Sequence, residues 1–185
     1  MFARSLRNFT AEEYLMIEVQ SDYKSEFFDG EIYAMAGASY NHVQIAENTF
    51  ISLRTQLKQK SCHAHMLDLR TKAGSAYTYP DVLVICGEPI FSDRYDTVAN
   101  PTVLIEVLSD STEKTDRTIK FEKYKQIETL KEYLLISQNE ARFELFRRTD
   151  AGWLSDVSTA TMQLKSIDCT LTASDVYEKV KFKAP

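Results

Sequence analysis

Three charged side chains in this chain stand where charge needs a reason. Asp81 follows Tyr79-Pro80 and opens an apolar run over residues 82–86. Glu106 lies inside TVLIEVL, residues 102–108. Strand alternation there puts Leu104, Glu106 and Leu108 on one face, with Val103, Ile105 and Val107 on the other. An ionised carboxylate buried in such a strand is costly unless it is paired or bound to a metal. Lys120 shares a helix face with Arg117, Phe121 and Tyr124. The aromatic pair belongs against a sheet, so Lys120 points inward with it and needs an anionic partner. If the two strands are neighbours, Asp81 and Glu106 converge. Two carboxylates, a backbone carbonyl and waters suit Mg²⁺. A cation held there activates water and stabilises charge on a phosphate, with Lys120 steering either. Each residue also has a plain reading: a turn aspartate, half of a structural ion pair, and a lysine lying along its helix edge.

Other candidates carry less. His42 opens a helix, where a capping or core role competes with catalysis. Ser109 and Ser111 adjoin the expected site, but no G-x-S-x-G elbow surrounds them, which argues against a serine hydrolase. His63 and His65 share a strand face beside Cys62, and spacing offers no third zinc ligand. Residues 113–125 hold Lys114, Arg117, Lys120, Lys123 and Lys125 against Glu113, Asp116 and Glu122. Such a helix approaches a phosphate backbone or is a solvated face of i,i+4 pairs. Lys58, Lys60, Arg70 and Lys72 extend a basic edge if the fold gathers them.

The elements that must position these residues read as follows. Thr10 and Glu13 form a capping box for a first helix, and Phe9 with Tyr14 a hydrophobic staple. Asp29-Gly30 between two short apolar runs signals a hairpin. A second helix is expected over 42–58, capped by Asn41 with Gln44 and burying Val43, Ala46, Phe50, Leu53 and Leu57. Strands are expected over 64–71, 82–86 and 102–108, the last covered on both faces. Thr112 opens a third helix to about residue 126, strands follow over 131–137, 142–147 and 153–157, and Thr172 with Asp175 starts a short last helix. This order predicts a mixed α/β sheet flanked by helices.

Composition bounds the rest. The 185 residues, 1–185 with a core over about 9–180, make one domain with room for a real core. With 44% hydrophobic and 26% charged residues, the chain is globular and not a disordered tail. The net charge of −5 counts weakly against a polyanionic partner. Three cysteines without a C-x-x-C argue against a disulfide framework and fit a reducing compartment. The first ten residues, MFARSLRNFT, lack the apolar stretch of a leader, and no apolar run approaches membrane-spanning length. A cytoplasmic protein is the expectation.

Taken in order, Pro80-Asp81, Ile105-Glu106-Val107-Leu108-Ser109, Asp116-Arg117, Lys120, Tyr124 and Glu132-Tyr133 resemble the Uma-type restriction endonuclease family of the PD-(D/E)XK nuclease superfamily. Upstream, Phe28-Asp29-Gly30-Glu31-Ile32, then Met35, Gly37, Asn41 and His42, match as well, so the resemblance spans roughly residues 9–180. It implies a restriction-endonuclease-like mixed β-sheet core with a helix on each side. It implies Mg²⁺, with Mn²⁺ a substitute, held by Asp81, Glu106 and the Val107 carbonyl, and Glu31 as a further acid. It implies DNA as substrate and permits a homodimer. The chain departs from the superfamily at Leu108, where the (D/E)-x-K lysine belongs; the family-like answer is that the lysine has moved to Lys120. Asp110 also replaces a usual proline. The expected function is Mg²⁺-dependent hydrolysis of DNA by Asp81, Glu106, Lys120 and Glu31, with His42, Ser109, Arg117 and Tyr124 accessory. The alternatives are an inactive nuclease-fold module that binds nucleic acid or protein, and, further off, a two-carboxylate glycosidase.

Overall fold

The computed structural model describes residues 8–66 and 68–182; the stretch read for a leader falls largely in residues 1–7, outside them. In chain order the elements are α1 (Ala11–Gln20), β1 (Ser25–Phe28), β2 (Glu31–Ala34), α2 (Tyr40–Gln56), β3 (Cys62–Met66), β4 (Thr71–Ala73), β5 (Ala76–Thr78), β6 (Val82–Cys86) and β7 (Val103–Leu108). A helical segment follows: α3 (Glu113–Thr115), a π-helical turn (Asp116–Lys120) and α4 (Phe121–Tyr124). Then come β8 (Glu132–Ser137), β9 (Phe143–Thr149), β10 (Gly152–Ser158), β11 (Thr161–Leu164), β12 (Cys169–Thr172) and α5 (Ala173–Val176).

A six-stranded sheet in the order β10-β9-β8-β7-β6-β3 forms the centre. Only β7 and β8 run parallel in it. All six residues of β7 are buried, as its apolar sequence requires. Val103, Ile105 and Val107 pack with Ile45, Ala46 and Leu53 of α2. Leu104 and Leu108 pack on the opposite face with Phe121 and Tyr124. The strand period thus sorts β7 between two helical layers and sends Glu106 to the α3–α4 side. A four-stranded sheet, β2-β1-β5-β4, lies apart from the central one in its pairing, with α1 packed on it through Tyr14, Phe27 and Tyr77.

Local signals explain several boundaries. The Thr10–Glu13 capping box is fully formed. Asp29 and Gly30 take φ of 48° and 96°, the paired positive values of a two-residue hairpin turn. Other readings are corrected. The strand expected over 64–71 is two strands in two sheets, because the chain breaks pairing after Met66 and turns at Asp68, φ 57°. Ser39, not Asn41, caps α2 by accepting the His42 N–H at 3.2 Å. Of the expected stripe, Ala46, Leu53 and Leu57 are buried and Phe50 packs on the core, Ile45 and Thr49 join them, and Val43 is exposed. Strand β5 and the β11–β12 hairpin were not anticipated. The cysteine reading is also corrected: Cys62 and Cys86, directly opposed on β3 and β6, form a disulfide, and Cys169 is free and buried. The count of three could not reveal a pair brought together by strand register.

Candidate active site

Asp81 stands one residue before β6. The antiparallel ladder that pairs Val82 with Ile105, carried one step further, sets it opposite Glu106. Its Oδ2 accepts the Val107 N–H at 2.7 Å, and its Oδ1 lies 2.9 Å from Nε2 of His42 in the first turn of α2. The N–H and C=O of one strand residue point to the same side. The Val107 carbonyl therefore faces the Asp81 side too, beyond the last β6–β7 pair.

Glu106 is 3% exposed. Its Oε1 accepts the Tyr124 hydroxyl at 2.7 Å and the Lys120 ammonium at 3.2 Å. Lys120 is itself buried, and its Nζ lies 3.0 Å from Glu26 Oε1 and 3.2 Å from Asp116 Oδ1. Three carboxylates thus share one ammonium, with Asp81 close by. Burial pushes the Glu106 carboxyl well above the usual carboxylate range; Lys120 pulls it down, and Asp116, Asp81 and Glu26 push it up again. Burial works against the charge on Lys120, but Glu106 and Glu26 outweigh it and hold the ammonium well above its ordinary range. Burial, then the charge of Glu106, keeps Tyr124 a neutral hydroxyl. The π turn leaves room at the Asp116 carbonyl, which accepts the Tyr133 hydroxyl at 3.2 Å. Such turns insert a residue into a helix and recur at functional sites.

The structure therefore gathers Asp81, Glu106, Val107, Lys120, His42 and Tyr124. The other expected residues make the following contacts. Glu31 lies on β2, on the sheet face that also carries Glu26, and accepts the Tyr33 hydroxyl. Ser109 makes hydroxyl contacts with Ser111 and Thr112 at 3.1 and 3.0 Å. Arg117 is spent on Glu113 at 2.8 Å and Glu144 at 2.7 Å. The charge excess on the helical segment is taken up in part by pairs, Lys123 with Asp29 and Lys125 with Glu122, both at 2.6 Å. The basic edge does not form: Arg70 is buried on Tyr79 and Thr97, and Lys60 reaches Asp168. Cys62 beside His63 and His65 is in the disulfide and is no thiolate ligand.

Two members of the cluster escaped sequence reading. Glu26 lies in SEFF, whose four residues are all buried; it is an acid inside an apolar strand, the signal that singled out Glu106. Asp116 precedes Lys120 by one helical turn, the spacing of an i,i+4 pair.

Residues 11–172 match the Uma2 family, described as "Putative restriction endonuclease". The chain belongs to this family. Two cyanobacterial relatives from Synechocystis sp. share its length: the uncharacterised protein sll1609, 39% identical over 158 residues, and slr1290, 35% identical over 178. The alignments cover 83% and 92% of this chain and 89% and 92% of those proteins. The Uma2 chain also superposes on a solved structure from Anabaena variabilis, described as a "putative nuclease belonging to DUF820". The TM-score is 0.76 at 20% identity, covering 94% of this chain and 99% of the other, which establishes a shared fold.

Proposed function

We propose that this Uma2 protein is a Mg²⁺-dependent endonuclease that hydrolyses phosphodiester bonds in DNA. The observation that carries the reading is the Lys120 ammonium held against Glu106 beside Asp81. A lysine and two carboxylates around one point are what the (D/E)-x-K motif supplies, and here the lysine comes from the following helix. The family's description and that of its structural neighbour support a nuclease.

The donor atoms suit the ion. They are hard oxygens, from Asp81, Glu106 and the Val107 carbonyl, and Mg²⁺ keeps several waters and needs few protein ligands. Four carboxylates (Glu26, Asp81, Glu106, Asp116) against one ammonium leave negative charge for a divalent cation to offset. When bound, the ion supplies Lewis-acid polarisation of the phosphate and a water of lowered pKa. The chain's own residues do the rest. His42 and the Val107 N–H orient Asp81, Tyr124 orients Glu106, and Lys120, charged because of its acids, stabilises the charge that develops on the phosphate. Glu26 and Asp116 hold that ammonium in place.

Supercoiled plasmid incubated with Mg²⁺, Mn²⁺ or EDTA tests the reading. The expected result is nicking in either metal, lost in EDTA and in Asp81→Asn. Equal cleavage in chelator, or by Asp81→Asn, would sink it. A homodimer would bring two such sites to the two strands of a duplex in one encounter. DNA as substrate fits action in the cytoplasm. A Cys62–Cys86 bond found oxidised in protein from cells would argue against that location, because such bonds are rare there. Among the described residues no helix is long and apolar enough to cross a membrane.

A further inference from the structure

Residues 32–46 contain no Asp, Glu, Lys or Arg, although 26% of the chain is charged. Within that stretch residues 33–40 are all exposed, and it carries three large side chains into solvent: Tyr33 at 45%, Met35 at 42% and Tyr40 at 75%. Its two ends are fixed at two sides of the catalytic cluster. Tyr33 is the direct cross-strand partner of Glu26, which contacts Lys120. Tyr40 begins α2 two residues before His42, which contacts Asp81. The Tyr40 hydroxyl donates to Gln44 Oε1 at 3.3 Å, one turn on, so the side chain lies along the helix.

A protein that grips duplex DNA does so mainly with Lys and Arg on phosphates. Near this site most of those cations are engaged: Lys120 is buried and assigned to the reacting phosphate, Arg117 is held by Glu113 and Glu144, and Lys123 and Lys125 pair with Asp29 and Glu122. What the rim adds is the exposed Tyr40 ring on an uncharged segment, with the exposed Lys181, whose carbonyl accepts the Asn41 side-chain N–H at 2.9 Å, beside it. Unpaired bases stack on such rings whatever their sequence. We propose that the substrate strand at this site is unpaired, and that a base beside the scissile phosphate stacks on Tyr40. The proposal rests on the nuclease reading of the same site and names its substrate class, a single-stranded or locally unpaired nucleic acid.

Fluorescence anisotropy tests it, with a labelled single-stranded DNA of about 16 nucleotides and the blunt duplex of the same sequence, both in EDTA so that nothing is cut. Wild type is expected to bind the single strand more tightly than the duplex. Tyr40→Ala is expected to weaken single-strand binding about fivefold or more and leave duplex binding unchanged, while Tyr40→Phe keeps wild-type affinity. Three results overturn the proposal. They are equal single-strand affinity in Tyr40→Ala, tighter binding of the duplex, or a wild-type dimer that Tyr40→Ala converts to monomer in sedimentation, which makes the face a contact between copies. The two readings fail separately. Metal-dependent cleavage lost in Asp81→Asn, with binding indifferent to Tyr40, refutes only the stacking; Tyr40-dependent binding without cleavage refutes only the nuclease.

Discussion

Lys120 and Glu106 are 14 residues apart in the chain and 3.2 Å apart at their charged atoms. The contact crosses from a helix to the strand beneath it. Leu108, two residues beyond Glu106 where the superfamily lysine belongs, is buried in the same apolar layer that holds Phe121 and Tyr124. One face of β7 thus receives from the helix above what its own sequence lacks.

Removing the ammonium leaves Glu26, Glu106 and Asp116 facing one another in a buried space. Breaking a buried pair from one side costs about 3–5 kcal/mol, so Lys120→Met is expected to lose about that much in urea unfolding at neutral pH. Adding Glu106→Gln should return part of the loss by removing one of the three crowded carboxyl groups. A Lys120→Met protein as stable as wild type would show that the lysine is not balancing these acids.

Tyr124 bonds Glu106 Oε1 at 2.7 Å and the Thr78 hydroxyl at 3.1 Å. Tyr124→Phe keeps the ring and removes both. A loss of about 1–3 kcal/mol is expected, with cleavage slowed less than in Glu106→Gln. Thermal unfolding and initial rates on the same preparations check this; an unchanged melting temperature would contradict it.

The raised Glu106 carboxyl has a consequence for stability. A folded-state pKa above the unfolded one means a contribution that is present below the unfolded value and lost as pH rises through the folded one. In EDTA, wild type should therefore lose stability relative to Glu106→Gln as pH climbs from the ordinary carboxylate range through the raised value of the folded Glu106 carboxyl. Mg²⁺ should restore stability most at the upper end, where the carboxylate it would bind is ionised. Urea midpoints measured across that window decide it, and a flat difference between the two proteins would count against a strained Glu106.

His42 approaches Asp81 from α2 without reaching Glu106 or Lys120 in any described contact. Partners that orient a metal ligand are worth about 10- to 100-fold in affinity. His42→Ala is expected to raise the Mg²⁺ concentration needed for half-maximal cleavage by that factor, with the rate at saturating metal largely kept. A rate that falls while the metal requirement stays fixed would instead make His42 part of the chemistry.

Much of this was legible in the sequence because it is local. The alternation of TVLIEVL placed Glu106 on the face where the structure has it, and Asp29-Gly30 marked the hairpin. Lys120 followed from the helical period it shares with Phe121 and Tyr124. What stayed hidden depends on distant pairing. Glu26 reaches Lys120 only because the β1–β2 hairpin sits in a second sheet beneath the helical segment, and Cys62 meets Cys86 only through register. Burial alone would also have misled. Glu132 is fully buried, yet it is satisfied by Arg147 at 2.8 Å and by Ser166, a structural pairing remote from Asp81. What sets Glu106 apart is that it shares its cation with two other acids.

The most direct test of the central claim is single-turnover cleavage of supercoiled plasmid in saturating Mg²⁺ by wild type and Lys120→Ala, with Mg²⁺ binding measured on both by calorimetry. If Lys120 performs the role of the displaced lysine, the variant binds the metal and cuts about 100-fold more slowly or worse. A Lys120→Ala protein that cuts at the wild-type rate would contradict the account, as would a folded, metal-bound wild type that cuts nothing.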